Sequence, residues 1–272
     1  MGGHAAPAST GRAHRYAIIG NGAIATELRS LARAHPALDL VGIVTRPGSA
    51  APAGAAALTL AEAIDRADTV VEAAGVAAVA EHGPAVIQAG RTLLVSSVGA
   101  FAHAEHRAGV LDAGPGRALI TSGAIGGLDL IAAAGRTGGL DRVTLTTTKH
   151  PRSLVQPGMP EPERARILGA TQATELFSGS VEDAIARFPA SLNVAVALGL
   201  AAGDLGLVRV RLSADPAATQ TEHRIEAVGA AGSYRFLVRN EPLPEHPSSS
   251  GLTARSLLSE LLRLAGQGTM LA

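Results

Sequence analysis

The stretch Tyr16-Ala17-Ile18-Ile19-Gly20-Asn21-Gly22-Ala23-Ile24-Ala25 decides the fold, because a short apolar run ends there in a glycine turn that opens a helical pattern. The turn fits the pattern Gly-x-Gly-x-x-Gly with alanine in the third place. Gly20 permits the tight turn, Gly22 lets the backbone approach a diphosphate, and a small residue completes the contact between helix and strand. Free N–H groups at the start of the helix favour phosphate. The pattern therefore predicts a dinucleotide site that includes Gly20, Gly22, Ala23 and Ile24.

Strand-like and helix-like segments alternate after this turn. Residues 38–44, 69–71 and 92–95 are predicted strands, and residues 76–89 are a predicted helix. Strands that alternate with helices form a parallel sheet with helices on its faces. The predicted fold class is therefore α/β, with an N-terminal Rossmann-type doubly wound parallel sheet.

After about residue 121 the pattern becomes rich in strands. The predicted strands are residues 143–148, 208–212, 223–228 and 234–238. A run of strands that follows an alternating half indicates a second domain, of the α+β class.

The domain boundaries follow from these changes of pattern. We expect a disordered tail at residues 1–14 and a Rossmann domain at 15–121 that is completed by a C-terminal helix in 251–272. A substrate and dimerisation domain is expected at 122–250. Within it, residues 241–250 are rich in proline and serine and are predicted to be a connector.

Composition and charge exclude several classes of function. The chain has 272 residues, and 23 basic residues balance 23 acidic ones, so it carries no excess positive charge for nucleic acid or for an anionic membrane. It has no cysteine, which excludes disulfides and thiolate metal sites, and the spacing of its histidines predicts no metal site. No apolar run is long enough to span a bilayer, and residues 1–14 lack the apolar core of a signal peptide. We therefore expect a cytoplasmic protein.

The residues after the second predicted strand bear on the choice of cofactor. An acidic residue in this position binds the ribose 2′-hydroxyl of NAD, but this chain has Thr45-Arg46-Pro47 there. A guanidinium can pair with the 2′-phosphate of NADP or stack on adenine. Arg46 can equally be an ordinary surface arginine. If it binds the cofactor, NADP is used at least as well as NAD.

Three features outside the Rossmann half are candidates for chemistry. Lys149 is the only lysine among 23 basic residues, and a compact ammonium would anchor a substrate carboxylate, although one lysine can also survive by chance. His223 lies in a predicted strand, where it either transfers a proton near neutral pH or packs as a structural histidine. The glycine-rich run 122–127 either brings the backbone close to a ligand or is a plain linker.

Several segments occur in the same order as in the L-aspartate dehydrogenase family, and the chain resembles that family over about residues 15–265. The segments that carry the resemblance are Val70 to Ala74, Ser96 to Phe101, Ser122 to Asp129, Gly139 to Lys149, Phe188-Pro189, Asn193-Val194-Ala195, Ala214-Asp215-Pro216, His223 and Leu252-Thr253-Ala254. The run SGAIGGLD, residues 122–129, and the start of the predicted helix at Asn193 are the most specific of them.

The resemblance implies a homodimeric enzyme that oxidises L-aspartate to iminoaspartate with NADP or NAD, in a step that feeds NAD biosynthesis. Carried over residue by residue, it implies that Ala124 and Asn193 contact the nicotinamide end of the cofactor and that His223 is the catalytic histidine. Lys149 and the backbone from Ser122 onward are then the expected contacts of the substrate carboxylates.

The chain departs from the family pattern around the expected substrate site. Thr221 and Arg224 replace the asparagine and glutamate found near the histidine in the family, and residues 246–250, His-Pro-Ser-Ser-Ser, replace an Asn-Pro-Lys-Thr-Ser-like segment. Two alternatives stay open. One is another small-substrate reductase, of the semialdehyde or dihydrodipicolinate type, with Lys149 as carboxylate anchor and His150 as proton donor. The other is a sensor that binds NADPH without turnover.

Overall fold

Two five-stranded sheets form the frame of the molecule in the computed structural model, which describes residues 12–156, 158–189, 191–243 and 246–267. The first sheet is wholly parallel, with the strand order β2-β1-β3-β4-β5. Its strands are β1 (His14–Ile19), β2 (Leu38–Val44), β3 (Thr69–Glu72), β4 (Thr92–Val95) and β5 (Arg117–Ile120). The order reverses beside β1, which is where open sheets of this kind bind ligands. The predicted Rossmann-type sheet is confirmed.

Two apolar cores cover the two faces of this sheet, because successive residues of a strand point to opposite sides. Ala17 and Ile19 belong to one core, whereas Tyr16 and Ile18 belong to the other. The helices of this half are α1 (Ala23–Ala32), α2 (Leu60–Arg66), α3 (Val76–Gln88) and α4 (Ala104–Val110), with a 3₁₀ turn at Val98–Ala102.

The second sheet is mixed, with the order β10-β9-β6-β8-β7. Its strands are β6 (Arg142–Lys149), β7 (Thr174–Gly179), β8 (Val208–Ala214), β9 (Thr221–Gly229) and β10 (Gly232–Asn240). Strands β6 and β8 are parallel, and the other pairs are antiparallel. The helices that accompany it are α5 (Leu128–Arg136), α6 (Glu161–Leu168), α7 (Val181–Arg187) and α8 (Asn193–Ala202), and 3₁₀ turns lie at Pro151–Ser153 and Leu205–Leu207. The predicted second α+β unit is confirmed.

Among the residues that the structure describes, one face of the second sheet is covered and the other face is not. Along β6, Val143, Leu145, Thr147 and Lys149 are buried, and the residues between them are more exposed. The buried side of the sheet joins the same apolar core as Ala17 and Ile19, so this core runs from one sheet to the other. Lys149 therefore points from the end of β6 into the interior of the molecule rather than into solvent.

The C-terminal segment returns to the first half. Within the predicted connector, residues 241–250, two short strands, β11 (Pro242–Leu243) and β12 (His246–Ser250), pair as an antiparallel ribbon. The helix α9 (Gly251–Leu264) follows directly and packs its buried leucines, Leu257 and Leu261 among them, into the core that contains α1. The segment lies between β10 and α9, as a connector would, but it contains strands, because proline is compatible with the edge strands of a ribbon as well as with loops.

The N-terminal limit of the fold also differs from the prediction. Residues 1–11 of the expected tail lie outside the described residues, but its last residue, His14, begins β1. The ring Nε2 of His14 lies 2.9 Å from Thr69 Oγ1, and Arg12 pairs with Asp68 at 2.8 Å. Within the part of the chain that the structure describes, no helix is both long and apolar enough to cross a membrane.

Candidate active site

A cleft opens between the carboxyl edge of the first sheet and the buried face of the second. Six of the residues predicted for the site line it: Ile24, Ser122, Ala124, Lys149, Asn193 and His223. The other lining residues are Ser96, Val98, Thr121, Gly123, Ser191, Val194, Ala197, Thr221, Ser249, Ser250 and Thr253. The remaining predicted residues, Gly20, Gly22, Ala23 and Arg46, lie outside the lining, at the ends of β1 and β2 and the start of α1.

The glycine turn after β1 has the geometry that a diphosphate requires. Gly20 has φ +104°, and a Cβ there would lie 2.7 Å from the carbonyl oxygen of Ala73, so only glycine fits. Gly22, in contrast, is next to open space, since a Cβ built there would have no atom within 4 Å. Helix α1 begins there with no side-chain cap and no acidic residue in its first turn. Open space in front of free N–H groups fits the diphosphate of a dinucleotide.

Arg46 lies beyond the carboxyl end of β2, on the side of the turn away from the cleft. Its side chain is exposed, and its guanidinium makes no hydrogen bond or ion pair with any residue that the structure describes. The neighbouring Thr45 is engaged instead, because its hydroxyl donates to the carbonyl oxygen of Ser49 at 2.8 Å. An unpaired guanidinium at this end of the sheet fits a 2′-phosphate.

Lys149 and His223 come together on the buried face of the second sheet. His223 on β9 stands directly opposite Thr147 on β6, and Lys149 is two residues further along β6 on the same face. Lys149 is only 5% exposed, and no carboxylate within the described ranges lies at ion-pair distance from its ammonium. Burial lowers the pKa of Lys149 from 10.5 to about 8. The cleft therefore contains a desolvated cation without a counter-ion among the described residues, which favours an anionic ligand.

His223 is held by one hydrogen bond and is otherwise directed at the cleft. Its Nδ1 lies 3.0 Å from the hydroxyl of the fully buried Thr147, and the ring is 2% exposed. Burial, and secondly the charge of Lys149, lower the pKa of His223 from 6.5 to about 3. The imidazole is therefore neutral at physiological pH, and Nε2 remains for a ligand.

Two asparagines fix the loops around the cleft. The side-chain amide of Asn240, at the end of β10, donates to the carbonyl oxygen of Ala124 at 2.7 Å and so holds the glycine-rich run 122–127. Asn193, the first residue of α8, accepts from the backbone N–H of Gly99 at 2.8 Å through Oδ1. Its Nδ2 has no bond to any described residue and is available as a donor. Asn240 was not predicted, because no local pattern marks a contact between residues so far apart in the chain.

Glu72 is a structural element of the site that the sequence analysis did not assign. Its carboxylate is fully buried and accepts from the backbone N–H groups of Ala74 and Gly75 at 2.8 Å and of Ser97 at 2.9 Å, and from the Ser97 hydroxyl at 2.9 Å. It therefore ties the loop that follows β3 to the loop that follows β4, beside the turn at Gly20. Two features of the sequence mark it: an acidic residue that closes an apolar strand, and its place in the segment Val70 to Ala74.

The electrostatic character of the cleft is positive. The first turns of α1, α8 and α9 contribute Ile24, Asn193, Val194 and Thr253, so the N-termini of three helices border it. Lys149 adds a full charge, and the described residues that line the cleft include neither aspartate nor glutamate. Serine and threonine hydroxyls supply much of the remaining polar surface. Helix N-termini, hydroxyls and an ammonium together favour an anionic ligand.

Comparison with known families gives a consistent result for both halves. Residues 20–115 match the NAD-binding domain of homoserine dehydrogenase, and residues 129–264 match the C-terminal domain of aspartate dehydrogenase. The second match begins one residue after Leu128, the first residue of α5, and ends with α9. It therefore includes Lys149, Asn193 and His223.

Individual L-aspartate dehydrogenases are similar to this chain over about half of it or over nearly all of it. An L-aspartate dehydrogenase of Ruegeria pomeroyi is 38% identical over 255 residues, 91% of each chain, and one of Methanopyrus kandleri is 40% identical over 148 residues, 54% of this chain and 51% of that one. The crystal structure of aspartate dehydrogenase from Thermotoga maritima superposes with a TM-score of 0.75 at 28% identity, over 96% of this chain and 100% of that one.

Proposed function

This chain belongs to the L-aspartate dehydrogenase family, and we propose that the cleft between its two sheets is where it oxidises L-aspartate to iminoaspartate with NADP or NAD. The observation that carries the proposal is the position of Lys149 and His223 on one buried face, in a cleft to which the described residues contribute no carboxylate. The glycine turn after β1 lies at the edge of the same cleft through Ile24. A dicarboxylate and a dinucleotide can thus meet there.

The residues around the turn would hold the cofactor. Gly20, Gly22 and the first N–H groups of α1, from Ala23 and Ile24, would bind the diphosphate, and Arg46 would bind the 2′-phosphate. Ala124 and Asn193 would contact the nicotinamide end. These residues would hold a cofactor that, when bound, would supply the acceptor for the hydride leaving the substrate Cα.

Lys149 would anchor one substrate carboxylate by a charge-assisted hydrogen bond. Because the ammonium is already desolvated and has no ion-pair partner among the described residues, much of the usual cost of removing it from water is met when the protein folds. The second carboxylate would be held by hydroxyl groups and backbone N–H groups, with Ser122 the predicted contact. Two fixed carboxylates leave the amino group and the Cα–H bond in defined positions.

His223 would accept a proton from the substrate amine at Nε2. This role requires the tautomer in which Nδ1–H donates to Thr147, because Nε2 is then the free acceptor. A carboxylate bound beside Lys149 would offset the charge that helps to lower the pKa of His223, so substrate binding would make the imidazole a better base.

The finer assignments stay predictions of the family resemblance. A homodimer is supported by the uncovered face of the second sheet, where Leu237 is 51% exposed and acidic and basic residues alternate on neighbouring strands. The size of the complex in solution, measured by light scattering, tests it. A role in NAD biosynthesis and a cytoplasmic location also remain predictions.

The position of His150 counts against the alternative reductase. That reaction was expected to use His150 as proton donor, but His150 does not line the cleft, and its Nδ1 accepts the backbone N–H of Arg152 at 3.2 Å. The aspartate reaction predicts that His223→Asn lowers kcat by about 10²- to 10⁴-fold, while His150→Asn, the matched control, keeps kcat within about twofold.

Initial rates with L-aspartate, other amino acids and aspartate semialdehyde, followed by the absorbance of the reduced cofactor, provide the test. We expect wild type and His150→Asn to oxidise L-aspartate, and His223→Asn to do so far more slowly. Both variants should bind NADPH with the affinity of wild type. If wild type bound the cofactor but turned over no substrate, the result would favour the NADPH-binding sensor. If His150→Asn lost activity and His223→Asn kept it, the result would favour the alternative reductase.

A further inference from the structure

Thr121 is a buried hydroxyl at the cleft that no described residue satisfies. It directly follows β5, and its backbone N–H continues the sheet by donating to the carbonyl oxygen of Val95 at 3.4 Å. The residue is 2% exposed, and its Oγ1 is almost fully buried and has no hydrogen-bond partner within the ranges that the structure describes. It nevertheless forms part of the cleft lining.

An unsatisfied buried hydroxyl is unusual, because buried polar groups in native proteins are almost always hydrogen-bonded. Arg15, Arg29 and Arg91 also have an unbonded buried nitrogen, but each guanidinium bonds through another nitrogen. Thr121 has a single polar side-chain atom, so it has no such compensation. A hydroxyl kept in this state at the wall of a cleft indicates a partner that arrives with a ligand.

The position of Thr121 indicates which part of the ligand it contacts. Thr121, Ser96 and Ala73 each follow the last residue of neighbouring parallel strands, so they lie in one row at the carboxyl edge of the first sheet. Ligands of doubly wound sheets bind outside this edge. Lys149 and His223, which we assign to the substrate, belong to the other sheet.

We propose that the Thr121 hydroxyl donates a hydrogen bond to the carboxamide oxygen of the nicotinamide and helps to fix the orientation of the ring. This assignment rests on the proposed function, since it requires a nicotinamide in the cleft. Asn193 Nδ2, also on the lining, is a second donor for the same end of the cofactor. Thr121 is thus a cofactor-positioning residue beyond those implied by the family resemblance.

The test compares Thr121→Val, which removes the hydroxyl at nearly constant shape, with Thr121→Ser, which keeps it. Thr146→Val, on the uncovered face of the second sheet, is the matched control. Dissociation constants are measured by fluorescence or calorimetry, without substrate, for NADPH and for 2′-phospho-ADP-ribose, which lacks the nicotinamide. The loss of one hydrogen bond predicts NADPH binding about 3- to 10-fold weaker in Thr121→Val.

Comparing NADPH with 2′-phospho-ADP-ribose distinguishes the loss of one contact to the nicotinamide from a general defect in cofactor binding. Binding of 2′-phospho-ADP-ribose should stay within about twofold of wild type in all variants, and Thr121→Ser should bind NADPH nearly as wild type does. Equal weakening of both ligands, or no weakening of NADPH, would overturn the assignment. A raised KM for L-aspartate with unchanged NADPH affinity would place the hydroxyl on the substrate instead. If wild type bound neither ligand, the proposed function would fail as well.

Discussion

Replacing Lys149 with methionine should stabilise the ligand-free protein while abolishing its function. Lys149 is nearly fully buried with no anionic partner among the described residues, and burial lowers its pKa from 10.5 to about 8. At 1.36 kcal/mol for each pKa unit, the charged form is disfavoured by about 3 kcal/mol in the folded state. Methionine has a similar length and no charge, so Lys149→Met should raise the free energy of unfolding by up to about 3 kcal/mol near neutral pH.

The pH dependence of this stability difference tests whether the buried charge of Lys149 is its cause. Below a pH of about 8 the folded protein keeps the buried ammonium charged, and the full cost is present. Between about 8 and 10.5 the unfolded chain binds the proton and the folded protein does not, so stability rises with pH and the cost is relieved. The advantage of Lys149→Met should therefore shrink from about 3 kcal/mol near pH 7 to below about 1 kcal/mol near pH 10.

Urea denaturation followed by two spectroscopic probes at both pH values measures this difference. Arg152→Met, which removes an exposed cation nearby, should change stability by less than about 0.5 kcal/mol. A Lys149→Met variant that is less stable than wild type, or whose advantage is the same at both pH values, would refute the reasoning. Activity assays on the same variant should show loss of turnover with L-aspartate and retained NADPH binding.

Two further predictions concern the cofactor and acid stability. Arg46→Ala should reduce the preference for NADPH over NADH by about 10-fold or more, since one charge-assisted pair to the 2′-phosphate is lost, and dissociation constants for both cofactors measure it. The pKa of His223 is about 3 in the folded protein and 6.5 in the unfolded chain. Below pH 6.5 the unfolded chain therefore binds a proton that the folded protein does not, and the free energy of unfolding falls as the pH falls. Wild type should lose about 2 kcal/mol more than His223→Gln between about pH 6.5 and 5, which urea titrations would detect, and parallel curves would contradict it.

Local patterns in the sequence were sufficient to predict the two sheets that form the frame of the molecule. The glycine turn at residues 20–25 and the apolar runs around it predicted the parallel sheet, because its strands are buried on both faces and the turn needs specific residues. Lys149 was noticed through its rarity and His223 through its strand, and the structure brings both to one cleft. Lys149 and His223 lie on the same face and near each other because of the register of β6 against β9, which no sequence pattern specifies.

The rest of the site depends on contacts between distant segments. Ser249 and Thr253 reach the cleft only because the ribbon of β11 and β12 and the helix α9 fold back onto the first half. Glu72 and Asn240 bind backbone groups of loops elsewhere in the chain, and the sequence does not show these partners. Thr121 is informative only through the absence of a bond within the described structure, which a sequence cannot show.

Transfer of deuterium from the substrate to the cofactor tests most directly whether the cleft performs this chemistry. L-aspartate deuterated at Cα is incubated with the protein and NADP, and the reduced cofactor is isolated and examined by mass spectrometry and NMR. We predict one deuterium at C4 of the nicotinamide, and no reduced cofactor in the presence of Lys149→Met. Reduced cofactor without deuterium, or no reduction by L-aspartate although NADP binds, would contradict the proposal.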